Sequence, residues 1–306
     1  MTRIGIIGLS EGNGHPFSFS AIINGFADSE LAASGWKVIY DYVRARDKSE
    51  FGIEGFTVTH AWTQEPEQTR NLCRACLIQN AVAEPKDMLG EVDAVIIARD
   101  DYENHFRMAM PFLEAGMPVF VDKPLTLAPG ELKVFRPYLE RGKLMSCSGM
   151  RYAKELDAVR QSIGDYAPIR LIRGTIVLSW EKYGVHLLEA IFNVVRSRPV
   201  SVTALQAGHA SMAITIDDGS SMQIDALGEC ARTFRVEFWG AKSFSSHDVT
   251  DNFSMFRRTL WHFGEMIRTG KAVIPPQDTL DVMRTLIAGR MSATEKRPVL
   301  INEIEL

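Results

Sequence analysis

The chain has 306 residues, 46% of them hydrophobic and 24% charged, with a formal net charge of −4. That length allows two domains with separate cores, and the mild acidity argues against a nucleic-acid or membrane-surface partner. No apolar run approaches the ~18 residues of a membrane span, and four cysteines suit a reducing compartment better than a disulfide framework, so the cytoplasm is the expected location.

Arg3–Gly8 (RIGIIG) reads as a buried strand, entered so early that no signal peptide is expected before it. A glycine-rich stretch follows, Gly8-Leu-Ser-Glu-Gly12-Asn-Gly14-His-Pro. Ser18–Phe26 is then a predicted helix with Phe19, Ile22, Ile23 and Phe26 on one side. A strand, a glycine turn and a helix can seat a pyrophosphate on the helix N-terminus. Here the loop is longer than G-x-G-x-x-G and Ser10 stands where its second glycine would be. The spacing leaves dinucleotide binding and a plain tight turn both open. Residues 27–55 look like an insertion, with Trp36, Tyr40 and Tyr42, a charged run (Arg44–Glu50) and no clear period. Thr57–Trp62 is expected as the second strand of the sheet and Pro66–Gln79 as the helix after it. Cys73 and Cys76 fall inside that helix, where two small buried residues are a better reading than a redox pair.

Val92–Leu125 holds a complete strand–helix–strand unit. Val92–Ala98 is a β-branched apolar run suited to a strand buried on both faces. After the polar turn Arg99–Asn104, Phe106, Met110, Leu113 and Met117 recur at helical spacing, and Gly116 stands where a left-handed cap is wanted. A second strand from Pro118 ends at Asp122-Lys123-Pro124. Ligands of open α/β sheets bind beyond the carboxyl ends of the strands, so both Arg99–His105 and Asp122–Pro124 fall on the working edge.

A helix over Pro129–Arg141 and a short strand at Leu144–Cys147 complete the alternating half. The pattern then changes. Tyr152–Ile163 and His186–Val195 read as helices and Ile169–Ser179 as a long strand. Further strands are expected at Val200–Gln206, Ala213–Asp217, Ser221–Ala226 and Arg232–Phe238, with Asp217-Asp218-Gly219 as a hairpin turn. Phe253–Thr269 and Thr279–Thr294 are amphipathic helices. The expected fold is therefore α/β: a doubly wound parallel sheet over residues 1–148, then an α+β domain with a mostly antiparallel sheet over 149–306.

Lys123 lies at a strand end, where burial and neighbours can lower its pKa toward neutrality and fit it for proton transfer. A surface lysine paired with Asp122 is the competing reading. His186 and Glu189 share a face near a helix start, just after Glu181, Lys182 and Tyr183. His186 is either an acid/base or a core histidine with a satisfied hydrogen bond. His105 could be a ligand or a structural residue at a helix start, and His15, in the glycine loop, is placed to touch a phosphate. No histidine pair has metal-ligand spacing, so no metal site is expected.

Several of these pieces, in this order, resemble the Gfo/Idh/MocA family, the relatives of glucose–fructose oxidoreductase and inositol dehydrogenase. They are Ala98-Arg99-Asp100, His105, Ala115-Gly116-Met117-Pro118-Val119, Asp122-Lys123-Pro124, Arg151-Tyr152, Gly184-Val185-His186-Leu187-Leu188-Glu189 and Phe238-Trp239-Gly240-Ala241-Lys242. The resemblance implies an N-terminal Rossmann domain binding NAD or NADP. It also implies a C-terminal sheet that forms a homodimer or homotetramer interface, and an oxidoreductase moving a hydride to or from a sugar, nucleotide-sugar or polyol. By carry-over, Lys123 contacts nicotinamide ribose and substrate, and His186 is the acid/base, with Glu181, Lys182 and Tyr183 beside it. The cofactor would meet Gly8, Ser10, Gly12, Gly14, His15, Trp62, Thr63, Arg99, Asp100, His105, Asp122 and Lys123; Arg151, Lys182 and His186 would face the substrate. The chain departs from the family in four places. The glycine loop is longer, and the Arg99–His105 turn has one extra residue and lacks Pro-Asn. Thr63 stands where an acidic residue would bind ribose hydroxyls, and Lys182 stands where an aspartate precedes the catalytic histidine. A non-catalytic NAD(P)- or sugar-binding regulator on the same fold is the alternative these departures raise.

Overall fold

The computed structural model describes residues 1–306, which divide into two compact units. The first comprises Met1–Leu125, Pro137–Ser146 and Asn252–Ile274, the second Thr126–Arg136, Cys147–Asp251 and Pro275–Leu306. A single cut near Gly149 does not describe this division, because Asn252–Ile274 groups with the first unit.

In chain order the first half holds β1 (Thr2–Ile7), α1 (His15–Asn24), α2 (Asp28–Ala32), α3 (Lys37–Arg44), β2 (Phe56–Trp62) and α4 (Pro66–Ala75). After them come β3 (Asn80–Ala81), β4 (Ala94–Ile97), α5 (His105–Glu114), β5 (Val119–Val121), α6 (Pro129–Glu140) and β6 (Leu144–Met145). The strands form one sheet in the order β3-β2-β1-β4-β5-β6, every neighbouring pair parallel. Strand order reverses between β1 and β4, the crevice where such sheets bind ligands. The apolar runs IGII and AVII are buried throughout, as strands covered on both faces require. Gly116 takes the expected left-handed conformation after α5, at φ +76°.

Residues 27–55 are not irregular: they hold α2, α3 and a 3-10 turn at Lys48–Glu50. α2 is too short to display an amphipathic period, and α3 carries one over only about two turns, burying Ile39 and Val43 four residues apart. This insertion packs on α1, which β2, α4 and α9 also cover and which is buried from Pro16 to Ile23. Tyr42 donates a hydrogen bond to Ser18 Oγ (2.5 Å), and burial pushes its phenol well above the usual range. The helix expected over Pro66–Gln79 stops at Ala75. The chain turns at Leu77, φ +56°, to supply β3, a strand too short for any periodicity to reveal. Cys73 and Cys76 are free thiols, and burial pushes the first up to about 11 and the second higher still.

The second half holds α7 (Asp157–Ser162), β7 (Ile169–Ile176), α8 (Val185–Phe192), β8 (Pro199–Leu205), β9 (Ala210–Ile216), β10 (Ser221–Ala226), β11 (Phe234–Gly240) and β12 (Phe244–Asp248). Helix α9 (Asn252–Thr269), α10 (Pro276–Glu295) and β13 (Val299–Leu300) close the chain. A seven-stranded sheet runs β12-β11-β7-β10-β9-β8-β13, antiparallel except where β7 meets β10. One face, with Ile172, Ile176, Met212, Ile214, Ile224, Val236 and Phe238, is buried; α8 lies on it, with Leu187 against Gly174. The other face carries Arg173, Thr175, Arg235, Glu237, Trp239 and Phe244. The helix expected over Tyr152–Ile163 is broken into 3-10 turns at Gly149–Tyr152 and Lys154–Leu156 before α7 begins. The carbonyl of Arg151 accepts from the Asn193 (2.6 Å) and Arg160 (3.1 Å) side chains rather than from an amide one turn on, which ends any continuous helix there.

Candidate active site

In the first unit the carboxyl ends of β1, β4 and β5 bring together the glycine loop, the Arg99–His105 turn and Asp122-Lys123. The loop is fastened to the sheet edge by its own side chains. Ser10 Oγ donates to Asp100 Oδ1 (2.7 Å) and accepts from the Asp100 amide (3.1 Å). Leu9 exchanges two bonds with Gln64, 2.8 Å from its amide and 2.5 Å to its carbonyl. Gly8 and Gly14 are glycine for close approach: a Cβ on Gly8 would lie 2.0 Å from Pro16 Cγ, and one on Gly14 about 2.5 Å from the Trp36 ring. Gly12 is different, with φ +73° and nothing within 4 Å of a Cβ.

His15 does not stand free for a phosphate. Its Nδ1 lies 2.5 Å from Asp122 Oδ2, and its ring stacks on Phe19 at 4.9 Å. Asn13 Nδ2 donates to the same carboxylate oxygen (3.0 Å). Burial alone would raise the Asp122 carboxyl, but the charge and hydrogen bond of His15, with Lys123 behind them, hold it well below the usual carboxylate range. Asp122 is thus committed to holding the loop. Lys123 is 4% exposed, so it is no surface lysine, and its Nζ lies 3.6 Å from Asp100 Oδ2. The Lys123-Pro124 peptide is cis.

The Arg99–His105 turn is held from inside. His105 is fully buried, with Nδ1 3.1 Å from the Leu125 carbonyl and Nε2 2.9 Å from that of Arg99. Both ring nitrogens face backbone carbonyls, one of which a neutral ring can donate to, so His105 acts as a tie inside the turn. Arg99 Nε donates to Asp101 Oδ1 (2.8 Å), and Nη2 bonds the other carboxylate oxygen. Burial works to raise Asp101, yet the Arg99 bond and charge, with Asn104, keep it below its ordinary value. Arg99 Nη1 is buried and has no partner. Thr63 is likewise held from inside. It is 3% exposed and its hydroxyl bonds the Glu65 carbonyl (2.9 Å) and Thr69 Oγ1 (2.8 Å), so it opens α4 instead of facing a ribose. Trp62 is half-buried, its Nε1 donating to the Ala83 carbonyl (3.0 Å).

In the second unit His186 is the second residue of α8. Ser148 Oγ lies 2.6 Å from its Nδ1, and the Tyr183 ring stands edge-on at 5.2 Å. Phe234 adds a second edge contact at 6.2 Å. Before α8 the chain makes one π-helical turn, Trp180–Gly184, which Ser179 caps through the Lys182 amide (3.3 Å). Trp180 pins this turn by donating Nε1 to the Leu286 carbonyl of α10 (3.0 Å). Glu181, Lys182 and Tyr183 line a cavity of about 520 Å³ with Leu178, His209 and Gly228.

Arg151 is not available to a substrate. It is 3% exposed and donates to Glu189 (2.9 Å) and Asp278 (2.8 Å). Burial would lower its pKa, but Glu189 raises it further. Glu189 itself, fully buried with Oε1 lacking a partner, is pushed up to about 7 by that burial against the pull of Arg151. Three residues with site roles were not anticipated: Asn13 on Asp122, Ser148 on His186 and Phe234 beside it. Asn13, wedged between two glycines, carried a faint turn signal; the other two carried none. No group of three or more His, Cys, Asp or Glu side chains could hold a metal ion, and no helix is long and apolar enough to cross a membrane.

Residues 2–145 match the family described as "Oxidoreductase family, NAD-binding Rossmann fold". No curated protein matches the sequence. Among solved structures the chain resembles the scyllo-inositol dehydrogenase from Lactobacillus casei with bound NAD(H) and scyllo-inositol, at TM-score 0.76 and 15% identity over 99% of each chain. It resembles a myo-inositol dehydrogenase from Corynebacterium glutamicum at 0.74 and 15%, over 98% of each chain. An oxidoreductase from Agrobacterium radiobacter in complex with NAD+, L-tartaric acid and magnesium follows at 0.73 and 13%, over 99% of each chain. At these identities the likeness establishes the fold.

Proposed function

We propose, from the premise that the N-terminal domain belongs to the Gfo/Idh/MocA oxidoreductase family, that the whole chain is an NAD(P)-dependent dehydrogenase or reductase of a sugar or polyol hydroxyl. The observation that carries this reading is Lys123: a buried lysine at the carboxyl end of β5, one strand from the β1/β4 crevice, in ion-pair range of Asp100. When bound, the nicotinamide supplies or accepts the hydride. The chain's own task is the proton on the substrate oxygen, for which Lys123 and His186 are each a candidate. Asp100 holds the lysine; Ser148, on Nδ1, sets the orientation of the imidazole. Tyr183 connects His186 to the cavity beside it, where Glu181 and Lys182 offer one charge of each sign to a polar substrate.

Gly12, with nothing within 4 Å of where a Cβ would stand, is the part of the glycine loop that a dinucleotide can approach closely. With no carboxylate at Thr63 to bind ribose hydroxyls, NAD and NADP are both kept as cofactors. The second sheet's open face is proposed as the meeting surface of a homodimer or homotetramer, and the cytoplasm as the location. The test has two stages. Nicotinamide fluorescence should report binding of NADH or NADPH; no binding of either at millimolar levels would overturn the oxidoreductase reading. On a panel of inositols and sugar acids, Lys123→Ala should then cut turnover by at least ~100-fold, the usual scale of general acid–base catalysis. Near-native turnover would remove Lys123 from the mechanism, and binding without turnover by the native protein would favour a regulator.

A further inference from the structure

A dinucleotide brings two phosphates, and the helix that receives them in the usual strand–turn–helix unit has no donors left here. Among the first three amides of α1, His15 N donates to Asn13 Oδ1 (2.8 Å), Pro16 has no N–H, and Phe17 N donates to the Gly14 carbonyl (3.0 Å). The N-terminus is closed by its own chain. Where the preceding loop bends over the sheet edge, Ser10 ties it to Asp100, the residue that follows Arg99.

Arg99 follows β4 by two residues and is 5% exposed. Asp101 takes its Nε and Nη2 in a fork, which fixes the plane of the guanidinium. Its Nη1 remains, buried and without an acceptor. Buried donors in native proteins find partners, and a cationic donor on a ligand-binding edge is completed best by an anionic oxygen. We propose that Arg99 Nη1 donates to the pyrophosphate of the bound dinucleotide, doing what the N-terminus of α1 cannot. This rests on the cofactor reading above, and it makes Arg99 a determinant of cofactor affinity.

The test uses ADP-ribose, which carries the pyrophosphate without the nicotinamide, and adenosine, which carries neither phosphate. By calorimetry Arg99→Met should weaken ADP-ribose binding by about 10- to 100-fold, the range of a hydrogen bond to a charged group, and change adenosine binding less than about twofold. ADP-ribose binding equal to native would overturn the proposal and leave the cofactor reading standing. A native protein that binds no ADP-ribose would instead overturn both. Should Arg99→Met fail to fold, a crystal structure of the native protein with ADP-ribose decides the matter. A phosphate oxygen within about 3.2 Å of Nη1 supports the proposal, and phosphates placed elsewhere overturn it.

Discussion

Glu189 and Arg151 show how far a residue's neighbours can redirect its sequence reading. A charged side chain just past a strand end looks like a substrate contact until its partners are placed, and those of Arg151 lie 38 and 127 residues away. The pair is a buried structural device whose weak point is the carboxylate, because Glu189 Oε1 has no donor. Its pKa, about 4.3 in an unfolded chain, is pushed up to about 7 in the native state. Between those values the native protein holds more protons than the unfolded one, so stability falls as pH rises through the window and stays lowered above it. Urea midpoints measured from pH 4.5 to 8 should decline accordingly in the native protein, and Glu189→Gln should flatten that segment of the profile. An unchanged slope in the variant would assign it to other groups. Lys123 and His186 teach the opposite lesson: their places at a strand end and a helix start were legible from local pattern, because no distant partner was needed to locate them.

The elements that could be read were those whose own residues carry the signal. Strands β1 and β4 are continuous β-branched runs, and α9 and α10 are long enough for several turns of periodicity. Those that could not be read carry little or none. Two residues make up each of β3 and β13, β12 is the mostly polar run FSSHD at an edge, and α2 and α3 have five and eight residues. The insertion is nevertheless specific in its contacts. Trp36 and Ile39 lie where any side chain at position 14 would have to go, with Cβ contacts of 2.5 and 2.6 Å, so the insertion and the glycine loop are packed as one piece. Gly14→Ala should therefore lose about 1–3 kcal/mol to overpacking, and the loss should shrink by at least ~0.5 kcal/mol in a Trp36→Ala background, as coupled neighbours do. Additive losses in the urea-unfolding cycle would mean the insertion merely lies near the loop.

At the scale of the whole molecule the question is what the second sheet's uncovered face is for. Its hydrophobic half was readable as alternation, but an open face announces no partner in sequence. On it Trp239 and Phe244 pack 4.9 Å apart between neighbouring strands, and Phe244 remains 55% exposed; Leu205 and Leu300, near the opposite edge, are 41% and 47% exposed. Apolar side chains set among Arg173–Asp225 and Arg235–Asp248 ion pairs form a patterned surface; in the proposed assembly the charges would fix register and the rings would supply the burial. A two-fold assembly would place the same patch on itself, so a single substitution acts twice at each interface. Phe244→Arg puts a charge into the apolar pair at that edge, on a side chain that lies mostly outside the folded chain. Light scattering should give a dimer or tetramer for the native protein and a smaller species for Phe244→Arg at equal concentration, with the near-UV spectrum otherwise retained. A native mass equal to one chain would remove the face as an assembly surface, and an unchanged oligomer in the variant would move the interface elsewhere on the molecule.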